Sequence, residues 1–376
     1  MGLPPLFTEQ FWGQGVPFPY DEIIDVRSPS EFAEDHIPGA INLPVLDDAE
    51  RAEVGTLYKQ VSTFKARKVG AAMVSRNISR HLQGHFAPKD KDYRPLIYCW
   101  RGGQRSGSMA TVLVQIGWRV TLLQGGYKTY RTHVRQQLQD LPEPFTYRIL
   151  AGSTGTGKTH VLKRLAQRGA QVLDLEGLAQ HRGSLLGALW EIAQPTQKYF
   201  ESLLLEQFQQ FDPKEPVWVE AESNKIGQVY IPQPLWQKMQ QAEGIEIQMP
   251  LAQRIEHLLE EYSHLITHPE VLKSKLQQLK SRHGKQQLAA WNHLIDMQQW
   301  ETFIGMLLEQ HYDPSYTHSF HRCYPNVQKT ASLLDTSVEQ IDRFIHSFLV
   351  PAQPVDFLSP VQNPLGDSIH ASSRPD

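Results

Sequence analysis

Cysteine is nearly absent from this chain: Cys99 and Cys323 are the only two in 376 residues. Two are too few for a disulfide framework, and they lack the paired spacing of a zinc site, so both are expected as free thiols. Long apolar runs are also missing. No stretch approaches the roughly 20 residues of a membrane helix. Residues 1–21 lack the basic start and apolar core of a secretory leader, so the cytoplasm is the expected location. No repeat of solenoid period is present. Hydrophobic residues at 40% and charged residues at 20% exclude wholesale disorder. The length exceeds that of a usual domain, and two cores are expected.

The net charge of -3 conceals a strongly uneven distribution. Between Val54 and Gln139 there are fifteen Lys and Arg against only Asp90 and Asp92, a local charge of +13 that leaves -16 elsewhere. Such a segment is either a solvated basic surface or a field that neutralises the phosphates of a polyanion.

The pattern along the chain is α/β. Strands are expected at Glu22–Val26, Leu96–Cys99 and Val120–Gln124, with helices at Pro29–Glu34, Ser106–Ile116 and Thr129–Gln139. Pro142-Glu143-Pro144 cannot continue a helix, which places a domain boundary near residue 143. A second set of strands follows at Tyr147–Ala151, Gln171–Leu175, Val217–Glu220 and Ile245–Met249, with a parallel sheet implied. From there the spacing is helical, over Leu251–His264, Pro269–Lys280 and Gln286–Gln310, and strand signals disappear. After Leu349 the chain is Pro-rich and poor in apolar residues, the composition of a disordered tail. The expected division is therefore 1–143, 144–350 and a tail at 351–376.

Two motifs carry chemistry. Gly152-Ser153-Thr154-Gly155-Thr156-Gly157-Lys158-Thr159 satisfies G-x-x-x-x-G-K-[ST] between an apolar strand and a helix. Its glycines let backbone N–H groups surround an anion, Lys158 supplies a point charge, and Thr159 is placed to hold Mg²⁺. Glu220, at the end of an apolar strand, is the candidate second metal ligand, with Asp174 as its competitor. The loop specifies a diphosphate or triphosphate without naming the molecule attached to it. The second motif is Cys99-Trp100-Arg101-Gly102-Gly103-Gln104-Arg105-Ser106, a glycine-bearing turn from a buried strand into a helix. Helix N–H groups with Arg101 and Arg105 favour a thiolate, making Cys99 a nucleophile or chalcogen carrier. Cys323 has no comparable surroundings and reads as packing, with a redox role as the alternative. Trp100 either stacks on a substrate base or packs on the core.

Upstream of the cysteine loop stand Asp25-Val26-Arg27-Ser28-Pro29 and His36-Ile37-Pro38-Gly39-Ala40. With them the first half resembles a rhodanese domain, in which the loop cysteine carries sulfur as a persulfide and Asp25 and Arg27 match the first-strand motif. Five residues separate Cys99 from Arg105, where sulfur-transferring rhodaneses have four. The longer spacing resembles the phosphatases that share the fold, and suits a phosphate-sized anion or bulkier selenium.

The CWRGGQRS loop followed by GSTGTGKT resembles the tRNA 2-selenouridine synthase family over roughly Tyr20 to Phe348, with further matches at His181-Arg182-Gly183-Ser184, Glu222-Ser223 and Pro234-Leu235-Trp236. Asn224 stands where that resemblance leads one to expect a basic residue, with Lys225 beside it. The implied architecture is an N-terminal rhodanese-like domain joined to a P-loop NTPase-like parallel-sheet domain with a helical end. The implied activity replaces the sulfur of wobble 2-thiouridine in tRNA by selenium from selenophosphate, through an S-geranyl intermediate made from geranyl diphosphate. On this resemblance the P-loop grips the diphosphate of the prenyl donor. Cys99 carries or positions selenium, with a selenosulfide as one form, Arg105 stabilises the donor anion, and Gly102 and Gly103 admit close approach. His181, Arg182, Ser184, Glu222 and Trp100 become candidate substrate contacts, and the basic 54–139 segment a docking surface for the anticodon stem-loop. The rival readings are a sulfurtransferase fused to an ATP- or GTP-dependent kinase-like domain, a nucleotide-switched binding module, and a rhodanese-fold phosphatase.

Overall fold

A computed structural model describes residues 20–349; the expected tail at 351–376 lies outside them. The first half comprises β1 (Glu22–Asp25), α1 (Pro29–Glu34), β2 (Ile41–Asn42), α2 (Asp48–Gln60), α3 (Thr63–Gln83), β3 (Pro95–Tyr98), α4 (Gln104–Ile116), β4 (Thr121–Leu122) and α5 (Gly126–Asp140). Its four strands form a parallel sheet in the order β2-β1-β3-β4. Every residue of β3 is buried, as its uninterrupted apolar sequence requires of a strand covered on both faces. α1 begins where a capping box does, Ser28 and Glu31 exchanging bonds with each other's backbone N–H.

The second half begins with β5 (Tyr147–Gly152), α6 (Lys158–Gln167), β6 (Gln171–Leu173), α7 (Leu175–Ala179), α8 (Gln197–Phe208) and β7 (Val217–Glu220). A small hairpin, β8 (Lys225–Ile226) and β9 (Val229–Tyr230), precedes α9 (Gln233–Gln241) and β10 (Glu243–Gln248). The helical end is α10 (Leu251–Glu261), α11 (Ser263–Thr267), α12 (Pro269–Leu276), α13 (Lys280–Asp296), α14 (Trp300–Leu307) and α15 (Asp313–Cys323), then β11 (Lys329–Ser332) and α16 (Val338–Leu349). The five-stranded parallel sheet has the order β11-β10-β5-β7-β6, which puts the strand leading into the phosphate loop at its centre.

Three features depart from expectation. β11 returns to the sheet edge after the helical end, although strand signals were expected to stop near residue 249; its sequence KTAS is mostly exposed and carries no apolar run to signal it. The single helix expected over Gln286–Gln310 is broken around Gln298, which has φ 55°, and passes through a π-helical turn at Leu308–Tyr312. Most of the basic segment between residues 54 and 83 forms the long helical pair α2 and α3, which had no counterpart in the strand and helix pattern.

The halves share one core. The buried face of α5, with Tyr127, Tyr130, Val134 and Leu138, lies in the same apolar cluster as Leu96 and Tyr98 of the first sheet and Ile149, Leu204 and Phe208 of the second half. Across this seam the buried Asp35 carboxylate accepts from Tyr127 Oη at 2.6 Å and Ser202 Oγ at 2.8 Å. His36 is stacked between Phe32 and Tyr199.

Asp25 and Arg27 are a buried ion pair, 0% and 1% exposed, with Arg27 Nη2 2.6 Å from Asp25 Oδ2. Arg27 also donates to the Asp35 carbonyl at 2.5 Å and lies 3.9 Å from the centre of the Tyr127 ring. Removing one member of such a pair strands a charge in a dry interior. Arg27→Met is therefore expected to cost about 3–5 kcal/mol of stability, read as a lowered midpoint in urea unfolding. An unchanged midpoint would contradict a structural role for the pair.

Candidate active sites

The cysteine loop runs from the end of β3 at Tyr98 to the start of α4 at Gln104. Cys99 is 3% exposed, at the floor of the loop, with Sγ 3.2 Å from Ser106 Oγ. The loop is held from behind by α5: Tyr127 N–H donates to the Cys99 carbonyl at 2.9 Å and Lys128 N–H to the Trp100 carbonyl at 3.0 Å. That approach requires glycine at 126, where φ is 61° and a Cβ would come within 2.2 Å of the Cys99 carbonyl oxygen. Gly102 and Gly103 lie in the turn itself. Ser106 and the Gly125-Gly126 pair were missed as contributors; the pair's position after an apolar strand was the available signal.

The two arginines differ. Arg101 is exposed on the rim. Arg105 is turned onto Glu31 of α1, its Nη1 2.5 Å from Oε2. Burial alone would raise the Glu31 pKa, but the hydrogen bond and charge of Arg105 outweigh it and hold the carboxyl below its ordinary value. Asp25 and Arg27 do not line the loop; they support it from beneath through Tyr127. Trp100, 36% exposed, leans on the same tyrosine with ring centres 5.2 Å apart, so one face packs while part of the ring stays open to solvent.

In the second half the phosphate loop, Gly152–Thr159, borders a cleft of about 370 Å³. Ser153 and Thr156 shape the loop from within, Thr156 Oγ1 donating to the Ser153 carbonyl at 2.9 Å. Lys158 Nζ folds back to donate to the Gly152 carbonyl at 2.7 Å. Thr159 Oγ1 lies 3.3 Å from Oε2 of Glu176, a residue the sequence pattern did not single out. Asp174, the expected competitor for the metal, instead caps α7, its Oδ1 accepting from Gly177 N–H at 2.7 Å. Glu220 is 2% exposed; its Oε1 accepts from Glu176 N–H at 2.7 Å, while Oε2 has no partner among the described residues. With an orphaned carboxylate oxygen beside the Thr159–Glu176 contact, Thr159, Glu176 and Glu220 are the residues that could hold a hard cation such as Mg²⁺.

These acids perturb one another. Burial, then the charges of Asp174 and Glu176, push the Glu220 pKa well up. Glu222 is pushed up to about 8 by burial and by the charge of Glu176. Gly183, with φ 65°, gives Glu222 room: a Cβ there would meet its Oε2 at 2.3 Å. Between the ordinary value of 4.5 and about 8, Glu222 holds a proton when folded that it would release when unfolded. Its contribution to stability is thus fullest at low pH and is lost as pH rises through about 8. Glu222→Gln is expected to flatten the decline in stability between about pH 5 and 8 in denaturant titrations. An unaltered slope would refute the assignment.

Arg182, Ser184 and Glu222 line the cleft, but His181 is not among its lining residues. His181 instead pairs with Ala188 in an isolated bridge. Arg182 is held by Glu261, Nη2 to Oε2 3.0 Å, over the Tyr262 ring. Lys225 lies over Tyr230 rather than in the cleft wall. Cys323 is partly buried against the shared core, as packing requires.

The basic segment is less free than its charge suggests. Arg76, Lys89, Arg94, Arg105 and Arg131 form ion pairs with Glu50, Glu22, Asp21, Glu31 and Glu201, all acids outside residues 54–139. Lys59, Lys65, Arg67 and Lys68 flank the α2–α3 turn, where Tyr58, Val61 and Phe64 are exposed.

Comparison with known proteins accounts for both halves. Residues 12–133 match the rhodanese-like domain, and residues 145–345 match the tRNA 2-selenouridine synthase AAA domain. A tRNA 2-selenouridine synthase from Nitrosomonas europaea is 38% identical over 64% of this chain and 63% of its own length. Those from Bdellovibrio bacteriovorus and Sulfurovum sp. are 31% and 30% identical, over 92% and 87% of this chain and 98% and 94% of their own lengths. Two domain matches in the right order, with relatives aligned almost end to end, show that the chain belongs to the tRNA 2-selenouridine synthase family.

Proposed function

We propose that this chain replaces the sulfur of wobble 2-thiouridine in tRNA by selenium, in two steps divided between the two sites. The observation that carries the first step is what borders the phosphate loop. A narrow pocket lined by Leu186, Leu258, Leu265, Phe303, Ile304 and Leu307 shares Thr154, Leu258, Tyr262 and Tyr312 with the wall of the P-loop cleft. A diphosphate cradle beside a dry hydrocarbon slot suits a prenyl diphosphate such as geranyl diphosphate. A nucleotide would need hydrogen-bonding partners for its base, which the slot does not offer.

In this reading the thiocarbonyl sulfur bonds to the allylic carbon of the donor, and the carbon–oxygen bond breaks with its electron pair leaving on the diphosphate. The loop N–H groups and Lys158 stabilise that charge, and a bound Mg²⁺ would neutralise more of it. Selenium of selenophosphate then adds at C2 of the uracil ring, the carbon bearing the alkylated sulfur. The carbon–sulfur bond breaks and the sulfur leaves as geranyl thiol with a proton from solvent, while water cleaves the phosphorus–selenium bond and releases phosphate. Cys99 positions the selenium derived from selenophosphate, with the rim Arg101, and Arg105 once it parts from Glu31, attracting the donor anion. Incubation with thiolated tRNA, geranyl diphosphate and selenophosphate, followed by nucleoside mass spectrometry, tests the sequence of products. ATP turnover without geranyl diphosphate binding would favour the kinase-like alternative.

The tRNA reading rests on the α2–α3 turn, where lysines and an arginine surround exposed aromatic rings. Such a surface suits the phosphates and unstacked bases of an anticodon loop. Binding of tRNA is expected to fall steeply between low and moderate salt, with Lys65→Ala plus Lys68→Ala reducing the logarithmic slope by about 1–2 in filter binding. Salt-independent binding would count against this surface.

A further inference from the structure

We propose that His160, His257 and Glu261 form a site for a divalent transition ion of the Zn²⁺ or Co²⁺ class, separate from the oxygen ligands at Thr159, Glu176 and Glu220. One donor atom from each of the three residues lies within 4.8 Å of the others. The arrangement follows from the fold. His257 and Glu261 are four apart on α10 and so share a helix face, while His160 is the third residue of α6. The two imidazoles meet edge to face, ring centres 5.0 Å apart.

A second observation points to a missing ligand. His160 Nδ1 is shielded from solvent and has no hydrogen-bond partner among the described residues. A buried donor or acceptor without a partner is uncommon in a folded chain, and coordination or an ion-bound water would satisfy it. His257 is only 9% exposed, yet all three residues border the P-loop cleft, which gives an ion a way in.

The donor chemistry separates this site from the Mg²⁺ ligands. Two imidazole nitrogens and one carboxylate match borderline-soft ions, whereas hydroxyl and carboxylate oxygens alone match hard ones. Three protein donors leave a coordination position facing the cleft for a substrate atom or water. Arg182 is the competitor, since it now pairs with Glu261 at 3.0 Å. Ion binding through Glu261 Oε2 would part that pair, leaving the guanidinium over Tyr262 and available to an anion in the cleft, whereas binding through Oε1 would leave it in place.

Titration of the full-length metal-free protein with Co²⁺, followed by visible absorption, tests the site. One saturable equivalent with nitrogen-type ligand-field bands is expected, and Zn²⁺ should displace it. His257→Ala should weaken Co²⁺ by more than the roughly 10–100-fold typical of lost outer-sphere partners. Cys99→Ser and Thr159→Ala should leave the bands intact, which separates this site from the thiol and from the hard-ion ligands. Because His257→Ala could unfold locally, the Zn²⁺-dependent rise in melting temperature of the wild type is measured alongside, with Glu261→Gln as a milder variant expected to lose most of it. Absence of saturable bands in the wild type, or their survival in both variants, would overturn the proposal. Neither result bears on geranylation, which is scored separately by product mass.

Discussion

Cys99→Ala is expected to abolish selenium incorporation, by about 10⁴-fold or more, while S-geranylation of thiolated tRNA continues near the wild-type rate. The substitution deletes one sulfur and little else. The loop's shape rests on backbone bonds from Tyr127 and Lys128 to the carbonyls of residues 99 and 100, and on the close approach at Gly126, none of which needs the thiol. Loss of activity can therefore be assigned to chemistry once a melting curve shows the fold intact. Cys99→Ser is the sharper control, because it keeps a hydroxyl within reach of Ser106 but not a chalcogen nucleophile of comparable strength. The readout is the ratio of selenated to geranylated nucleoside. Selenation within tenfold of wild type in the alanine variant would remove Cys99 from the mechanism. Parallel loss of both products would point to a binding defect instead.

Lys158→Ala is expected to show the mirror image, a fall of about 10²–10³-fold in geranylation from loss of one preorganised positive donor at a charge-developing oxygen. Supplied with tRNA already carrying the S-geranyl group, the same variant should still incorporate selenium. Lys158 donates to the carbonyls of its own loop, at 2.7 and 3.4 Å, and its charge favours the ionised forms of Glu176 and Glu222, but it forms no direct ion pair among the described residues, so removing it exposes no core. Lys158→Arg should recover little, because the planar guanidinium cannot occupy the compact position of an ammonium among loop carbonyls. Failure of pre-geranylated tRNA to rescue the variant would refute a division of labour between the sites.

How much of the fold and the sites was legible in the sequence depended on how local each determinant is. The phosphate loop could be read as a strand-to-helix loop because its pattern occupies eight consecutive residues, with glycines where φ is positive, at 152, 155 and 157. The central strands of both sheets could be read because burial on two faces demands apolar runs, as in Val217-Trp218-Val219, whereas β2 and β11, with no such run, could not. By contrast α2 buries no residue at all, so it leaves no apolar stripe to find. Glu176 escaped notice because nothing in Leu175-Glu176-Gly177 indicates that the turn of a five-residue helix will aim this carboxylate at Thr159. Asp174 looked like a ligand for the reason that makes it a cap: a short acidic side chain just after a strand can accept from whatever N–H groups come next. The basic segment was overcounted for a related reason, since charge summed along sequence cannot see acids contributed from elsewhere. Arg131 and Glu201 are seventy positions apart but form a single contact.

The apolar seam along α5 bears on how such a chain can be taken apart and recombined. A helix whose tyrosines are buried jointly by both sheets belongs energetically to neither half alone. Cutting beside it would leave Tyr130, Val134 and Leu138 facing water on one fragment and Leu204 and Phe208 on the other, both prone to association. Chimaeras between relatives should accordingly exchange α5 and α8 as a matched set. The cysteine loop and the phosphate loop would then be inherited as a matched pair.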